Sequence, residues 1–260
     1  MINYRIYSAK VLGREHLLTR KNCQDSFVFD FFTINDKEYV FGVICDGCSE
    51  GSNSETGATL LSNYLVSQIP VILKSSHPNL ILQGEKEVTG KKEHTNLLNI
   101  PYMLFKSAKN YLQLILDNTY MKDDVVMKIE FIKNHLLSTV IGFIISEEAG
   151  IYFYYGDGKI IINDEIITIN QDNRPDYLGY HLIEPEYLEF KNNNSFSVVS
   201  LDISILQRFA VCSDGFEEEL AQQIWNIKHP FTLQRKMNAW SEQYKRFSDD
   251  ATVIAVEVIK

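Results

Sequence analysis

The fold class this sequence predicts is α+β, with antiparallel sheets and helices packed outside them. Three observations lead there. Strand-like segments come in two runs with helical segments between them, so the chain is not built of repeating βαβ units. The second run consists of short strands punctuated by Gly150, Gly156-Asp157-Gly158 and Asn163-Asp164, which is hairpin spacing. Of 260 residues, 45% are hydrophobic and 23% charged, which supports a sizeable core and argues against disorder. No repeat, low-complexity tract or linker breaks residues 1–260, so a single domain is expected.

In order, residues 3–9 and 26–34 read as strands, the second rich in β-formers (Ser26-Phe27-Val28-Phe29-Asp30-Phe31-Phe32). Asn35-Asp36-Lys37 is a hairpin-like turn, and 39–45 is apolar on both faces, as a central strand should be. Residues 54–73 carry Leu61, Tyr64, Leu65, Ile69 and Ile72 at helical spacing, with Ser52, Asn53 and Ser54 as capping candidates and Pro70 expected to kink or shorten the end. Residues 74–95 are polar and read as a surface excursion. Pro101 suits the first turn of a second helix, whose buried face is Leu104, Phe105, Ala108, Tyr111, Leu112 and Ile115. Residues 122–132 fit helix or strand. Strands at 136–146, 151–155, 159–162 and 165–169 predict a β-meander. A flap or long loop follows over 170–194, with Arg174, Tyr177 and Tyr180 as residues that would cover a substrate. Strands at 195–200 and 206–213, a short acidic helix after Gly215, a helix near 230–245 and a strand at 251–258 complete the chain.

Bulk properties narrow the function. A net charge of −9 disfavours phosphate-backbone binding, so no nucleic-acid partner is expected. The N-terminus lacks a signal-peptide pattern, and no segment nears the ~18 apolar residues of a membrane span. A cytoplasmic monomer without membrane contact is the expectation. Four cysteines (Cys23, Cys45, Cys48, Cys212) are too few for a disulfide scaffold. Cys45-Asp46-Gly47-Cys48 has Cys-x-x-Cys spacing, but Cys45 falls within an apolar strand, where a thiol is an ordinary core residue. The six histidines show no metal-ligand spacing; His16, a short distance before the first motif, reads as a surface or hydrogen-bonded residue, with a place lining the site as the alternative.

Four motifs carry the chemistry: Asn22-Cys23-Gln24-Asp25-Ser26, Asp46-Gly47, Ser213-Asp214-Gly215 and Ser248-Asp249-Asp250-Ala251-Thr252. Each stands at a predicted strand edge. Any one Asp-Gly alone is a common turn. Together the acids repel one another, and divalent cations that favour oxygen, such as Mg²⁺ and Mn²⁺, are their natural counter-charge.

In this order and spacing the motifs resemble those of the metal-dependent PP2C-type serine/threonine phosphatases, in their bacterial form, from about residue 5 to 258. Ser213-Asp214-Gly215 with Asp249-Asp250-Ala251-Thr252-Val253-Ile254 is the most specific part, and Tyr155-Gly156-Asp157-Gly158 and Ser138-Thr139-Val140 resemble internal family segments. The resemblance implies an αββα sandwich with a two-ion Mn²⁺ or Mg²⁺ site. Asp25 and Asp46 would bridge or flank the ions, Gly47 would offer its carbonyl, and Asp214 and Asp249 would complete the set. Asp250 would lie outside it. Arg20, five residues before Asp25, stands where the family binds substrate phosphate, with Lys21 and Arg14 nearby. The implied reaction is direct hydrolysis by a metal-activated water, with a phosphorylated protein as substrate and a serine/threonine kinase, or its targets, as counterpart. Three positions depart from the family. Cys48 replaces a His that some members use as an acid, Gln24 replaces a Glu, and Lys133-Asn134-His135 offers no carboxylate for a third ion. Two other readings stand beside this one: a silent relative that binds phosphoproteins, and a phosphatase of small phosphorylated molecules. The four core acids favour an enzyme over the silent relative.

Overall fold

The computed structural model describes residues 3–76, 91–119, 124–171, 175–188, 193–227 and 229–259. In chain order the elements are β1 (Asn3–Val11), α1 (Arg14–Thr19), β2 (Asp25–Ile34), β3 (Lys37–Asp46), α2 (Ser54–Ser76), α3 (Lys91–Asp117), α4 (Val125–His135), β4 (Val140–Ser146), β5 (Gly150–Tyr155), β6 (Gly158–Ile162), β7 (Glu165–Ile169), β8 (Ser197–Leu201), β9 (Arg208–Cys212), α5 (Ala221–Ile224), α6 (Phe231–Tyr244) and β10 (Ala251–Ile259). Two five-stranded sheets form, in the orders β1-β10-β9-β6-β7 and β2-β3-β4-β5-β8, and every pairing is antiparallel.

The alternation of side chains along the strands builds the layers. In β3, Val40 and Ile44 join Ile141, Phe143, Phe209, Ile254 and Val256 between the sheets. Tyr39, Phe41, Val43 and Cys45 turn the other way, against Leu61, Leu65 and Ile69 of α2 and Leu104 and Ala108 of α3. In β10, Val253 and Ala255 face Leu233, Met237 and Trp240 of α6. Three apolar layers in this arrangement make an αββα sandwich, as expected.

Several local expectations change. The residues from 136 to 169 are not one meander. β4–β5 and β6–β7 are hairpins in different sheets, and the chain crosses between the sheets at Gly156-Asp157-Gly158. Both glycines there have positive φ, 99° and 139°, which side chains rarely adopt. Helix α2 continues through Pro70 to Ser76, because Ile72 and Leu73 beyond the proline are buried in the core. Pro101 lies inside α3, not in its first turn. Leu97 and Ile100 extend the buried face N-terminally, and a proline removes only one helical hydrogen bond there. The ambiguous segment is helical, started by Asp124, whose side chain accepts from the Val126 and Met127 amides. A six-residue helix, α1, was not anticipated. Of the segment expected as an excursion, 74–76 and 91–95 belong to helices, and 77–90 lie outside the described residues, as does Arg174. In the segment expected as a flap, 3₁₀ turns span Leu178–Leu182 and Pro185–Tyr187, and Leu178 and Ile183 are buried.

Candidate metal centre

Strand register brings the acids to one end of the sandwich. Asp25 opens β2 directly opposite Asp46, the last residue of β3. The Asp46 carbonyl accepts the Thr139 amide at 2.8 Å, the Cys48 amide donates to the Leu137 carbonyl at 3.0 Å, and Gly47 between them donates to the Gln24 carbonyl at 3.2 Å. In the other sheet, Cys212 ends β9 opposite Val253, and the Ser213 amide donates to the Thr252 carbonyl at 3.0 Å. Asp214 therefore leaves β9 beside Asp249 and Asp250, which lead into β10. A buried hydrogen bond between the two sheets lies here: the Ser213 hydroxyl donates to Asp25 Oδ2 at 2.8 Å and accepts the Thr252 amide at 2.9 Å.

Asp25 is 1% exposed, and its Oδ1 is buried with no hydrogen-bond partner among the described residues. Burial, then the charge of Asp250, pushes its carboxyl well above the usual range, against hydrogen bonds that pull it down. Asp46 is raised by burial first and then by Asp25 and Asp214. Asp249 is raised by burial and by Asp214. Each acid thus lies within the field of another, and the structure brings Asp25, Asp46, Asp214 and Asp249 together. Two ammonium groups border them: Lys10 Nζ donates to the Asp25 carbonyl at 3.0 Å, and Lys159 Nζ to the Asp214 carbonyl.

A further acid was seen in the sequence only as part of a turn. Asp157, at the crossover between sheets, is pushed up to about 6 by burial and by Asp214. Its signal was the one the other motifs share, an aspartate beside glycine at a strand exit. Tyr177 also reaches this rim. Its phenol is raised by burial, then by the Cys48 thiol within hydrogen-bonding reach, and then by Asp46 and Asp157.

Arg20 caps the C-terminus of α1 in the left-handed conformation (φ 58°) and is exposed. Among the described residues its guanidinium makes no hydrogen bond or ion pair. Lys21 instead donates to the Ser49 carbonyl, and Arg14 to the Lys245 carbonyl at 3.5 Å. His16 is buried and hydrogen-bonded to Asp250 at 2.8 Å. Ligand atoms of His16, Asp249 and Asp250 lie within 4.8 Å of one another. Both Asp250 oxygens, however, already accept hydrogen bonds, from the Gly13 amide, the Gln24 amide and His16. All four cysteines are free; Cys45 and Cys212 are buried in different sheets, and burial raises both thiols.

The donor set suits divalent cations. It consists of carboxylate and backbone oxygens, it carries clustered negative charge, and it includes a buried carboxylate oxygen with no hydrogen-bond partner among the described residues. Carboxylates gathered in this way at one end of an αββα sandwich suit a metal-dependent phosphatase. The profile of protein phosphatase 2C matches residues 12–250, and the chain belongs to that family, whose members are metal-dependent serine/threonine phosphatases. Compared with curated proteins, the sequence has no match. Among solved structures, a bacterial serine phosphatase is similar at 15% identity and a TM-score of 0.54, over 100% of this chain and 98% of that one. Serine/threonine phosphatase Stp1 from Staphylococcus aureus is similar at 13% identity and 0.54, over 100% and 96%. The catalytic domain of serine threonine protein phosphatase PstP, in complex with 2 manganese ions, is similar at 12% identity and 0.51, over 100% of both chains. At these identities the likeness is one of fold. No described helix is long and apolar enough to cross a membrane.

Proposed function

We propose that this chain is a single-domain phosphatase acting on phosphoserine and phosphothreonine in proteins, with two Mn²⁺ or Mg²⁺ ions. The observation that carries the reading is Asp25 Oδ1, buried without a hydrogen-bond partner among the described residues and beside acids that raise one another's proton affinity. Asp25, Asp46, the Gly47 carbonyl, Asp214 and Asp249 are the groups that would hold the ions. When bound, the ions would neutralise phosphate charge and supply an acidified water. Ser213 orients Asp25 through its hydroxyl, and the 137–139 segment fixes the backbone of Asp46. Arg20, with a guanidinium unpaired among the described residues, offers parallel donors to the phosphate oxygens. With Asp46 it forms the catalytic pair. The physiological setting in this reading is cytoplasmic signalling by a monomer, opposite a serine/threonine kinase.

Hydrolysis of p-nitrophenyl phosphate and of a phosphothreonine peptide tests the reading. Activity is expected with Mn²⁺, none with EDTA, and a loss of at least about 100-fold in Asp214→Ala, the scale of removing a charge-stabilising group. No turnover above background with Mn²⁺ would overturn the enzyme assignment. Turnover that survives EDTA and Asp214→Ala together would overturn the metal assignment. Turnover of the small ester without the peptide would move the substrate class to small phosphorylated molecules.

A further inference from the structure

Helix α1 has six residues, too few to be stable alone in water. Its backbone is tied to the loop before β10: the Arg14 amide donates to the Phe247 carbonyl at 3.1 Å, and the Glu15 amide to the Ser248 carbonyl at 3.0 Å. Its one buried side chain is His16. His16 Nδ1 donates to Asp250 Oδ2 at 2.8 Å. The same carboxylate accepts the Gly13 amide at 2.7 Å and the Gln24 amide at 2.6 Å. Asp250, 2% exposed, thus gathers donors from the entrance to α1, from α1 itself and from the residue before Asp25. The approach is close: a Cβ at Gly13 would lie 2.2 Å from the Asp249 carbonyl carbon.

These partners adjoin the candidate site residues in sequence at three points. Asp250 follows Asp249, Gln24 precedes Asp25, and α1 ends at Arg20. We propose that His16 is a positioning residue which, through Asp250, holds the Arg20 arm in register with Asp25 and Asp249. This deepens the phosphatase reading and rests on it for the role of Arg20. A cation held by His16, Asp249 and Asp250 fits less well, because a ligating Nδ1 would have to give up the proton it donates to Asp250, and the Asp250 oxygens are already engaged. His16 touches neither phosphate nor water in this scheme. It sets where Arg20 stands.

The test reads inorganic phosphate affinity by calorimetry on the Mn²⁺-loaded protein, which does not require turnover. His16→Leu is expected to weaken phosphate binding on the order of tenfold, as Arg20→Ala does. The double variant is expected to bind no more weakly than Arg20→Ala alone, because residues that act as one unit are not additive. His16→Asn, whose amide can replace the Nδ1 proton, is expected to restore most of the affinity. If His16→Leu does not fold, Asp250→Asn replaces it in the same cycle with the same expectation. Equal weakening in the wild-type and Arg20→Ala backgrounds would overturn the proposal, as would unchanged affinity in a folded variant. Hydrolysis by the wild type is measured in parallel. A wild type that binds phosphate without hydrolysing it sinks the phosphatase reading alone, whereas active wild type with additive variants sinks the role of His16 alone.

Discussion

Asp25 shows how much a single residue demands of its surroundings. An ionised carboxylate at 1% exposure needs compensation, and its Oδ2 has the Ser213 hydroxyl while its Oδ1 has no hydrogen-bond partner among the described residues. Burial, and after it the charge of Asp250, pushes its carboxyl up to about 7, and without metal a proton is the remaining counter-charge. The unfolded chain titrates near the ordinary aspartate value of about 3.9. Between these values the folded form binds more protons than the unfolded form, so stability falls as pH rises through that window. The penalty is complete above the folded value and is relieved below the unfolded one. Metal-free protein should therefore melt at a higher temperature at pH 5.5 than at pH 8. The slope runs only up to the folded value, so between pH 5.5 and pH 8 the difference is on the order of 2 kcal/mol for Asp25 at roughly 1.4 kcal/mol per pH unit. Asp25→Asn should flatten the slope, and a melting temperature independent of pH would contradict the account. The acids themselves were legible in the sequence as strand-edge aspartates. The Ser213 to Asp25 bond was not, because it joins residues 188 apart through the packing of two sheets. Nor was the role of His16, since one histidine without a spaced partner looks like any other.

At the level of elements, alternation and helical spacing marked most strands and helices, while the connections between them were harder to read. Gly156-Asp157-Gly158 looked like another hairpin turn because a turn and a crossing use the same residues. What separates them is which strand each neighbour pairs with, and that is settled by distant partners: β5 finds β8, and β6 finds β9. The prolines misled for a related reason. A local penalty of about 3 kcal/mol ends a helix only when no buried face continues beyond it, and Ile72 and Leu73 continue α2 past Pro70. The crossing can be tested at Gly158. Its φ is 139°, and an added Cβ would lie 2.3 Å from Ile141 Cδ1 and 2.8 Å from the Cys212 carbonyl oxygen. Gly158→Ala should destabilise the fold by about 2–4 kcal/mol, combining backbone strain with overpacking. Urea unfolding measures this, and a midpoint unchanged from wild type would mean that the crossing tolerates a side chain.

For the whole molecule, the important fact is that the candidate metal centre has no single owner. Asp25 and Asp46 belong to one sheet, and Asp214 and Asp249 to the ends of strands in the other. The apolar layer between the sheets, built around Phe143, Phe209 and Ile254, pulls the two sets of acids together. Their mutual repulsion pushes the other way. Cations bound between the two sets would relieve the repulsion and act as a cross-sheet clamp, and binding there should register as global stability. A ligand at 100 times its dissociation constant adds about 2.7 kcal/mol when it binds only the folded state. Saturating Mn²⁺ should accordingly raise the melting temperature and the urea midpoint of the wild type. The urea m-value should not change, since the surface exposed on unfolding is the same. Asp214→Ala separates the two forces. Removing one acid from the β9 side should leave the metal-free protein at least as stable as wild type at pH 8, because repulsion falls, while abolishing most of the gain from Mn²⁺. A variant that loses stability without metal and keeps the full Mn²⁺ gain would show that Asp214 serves the fold and that the clamp lies elsewhere.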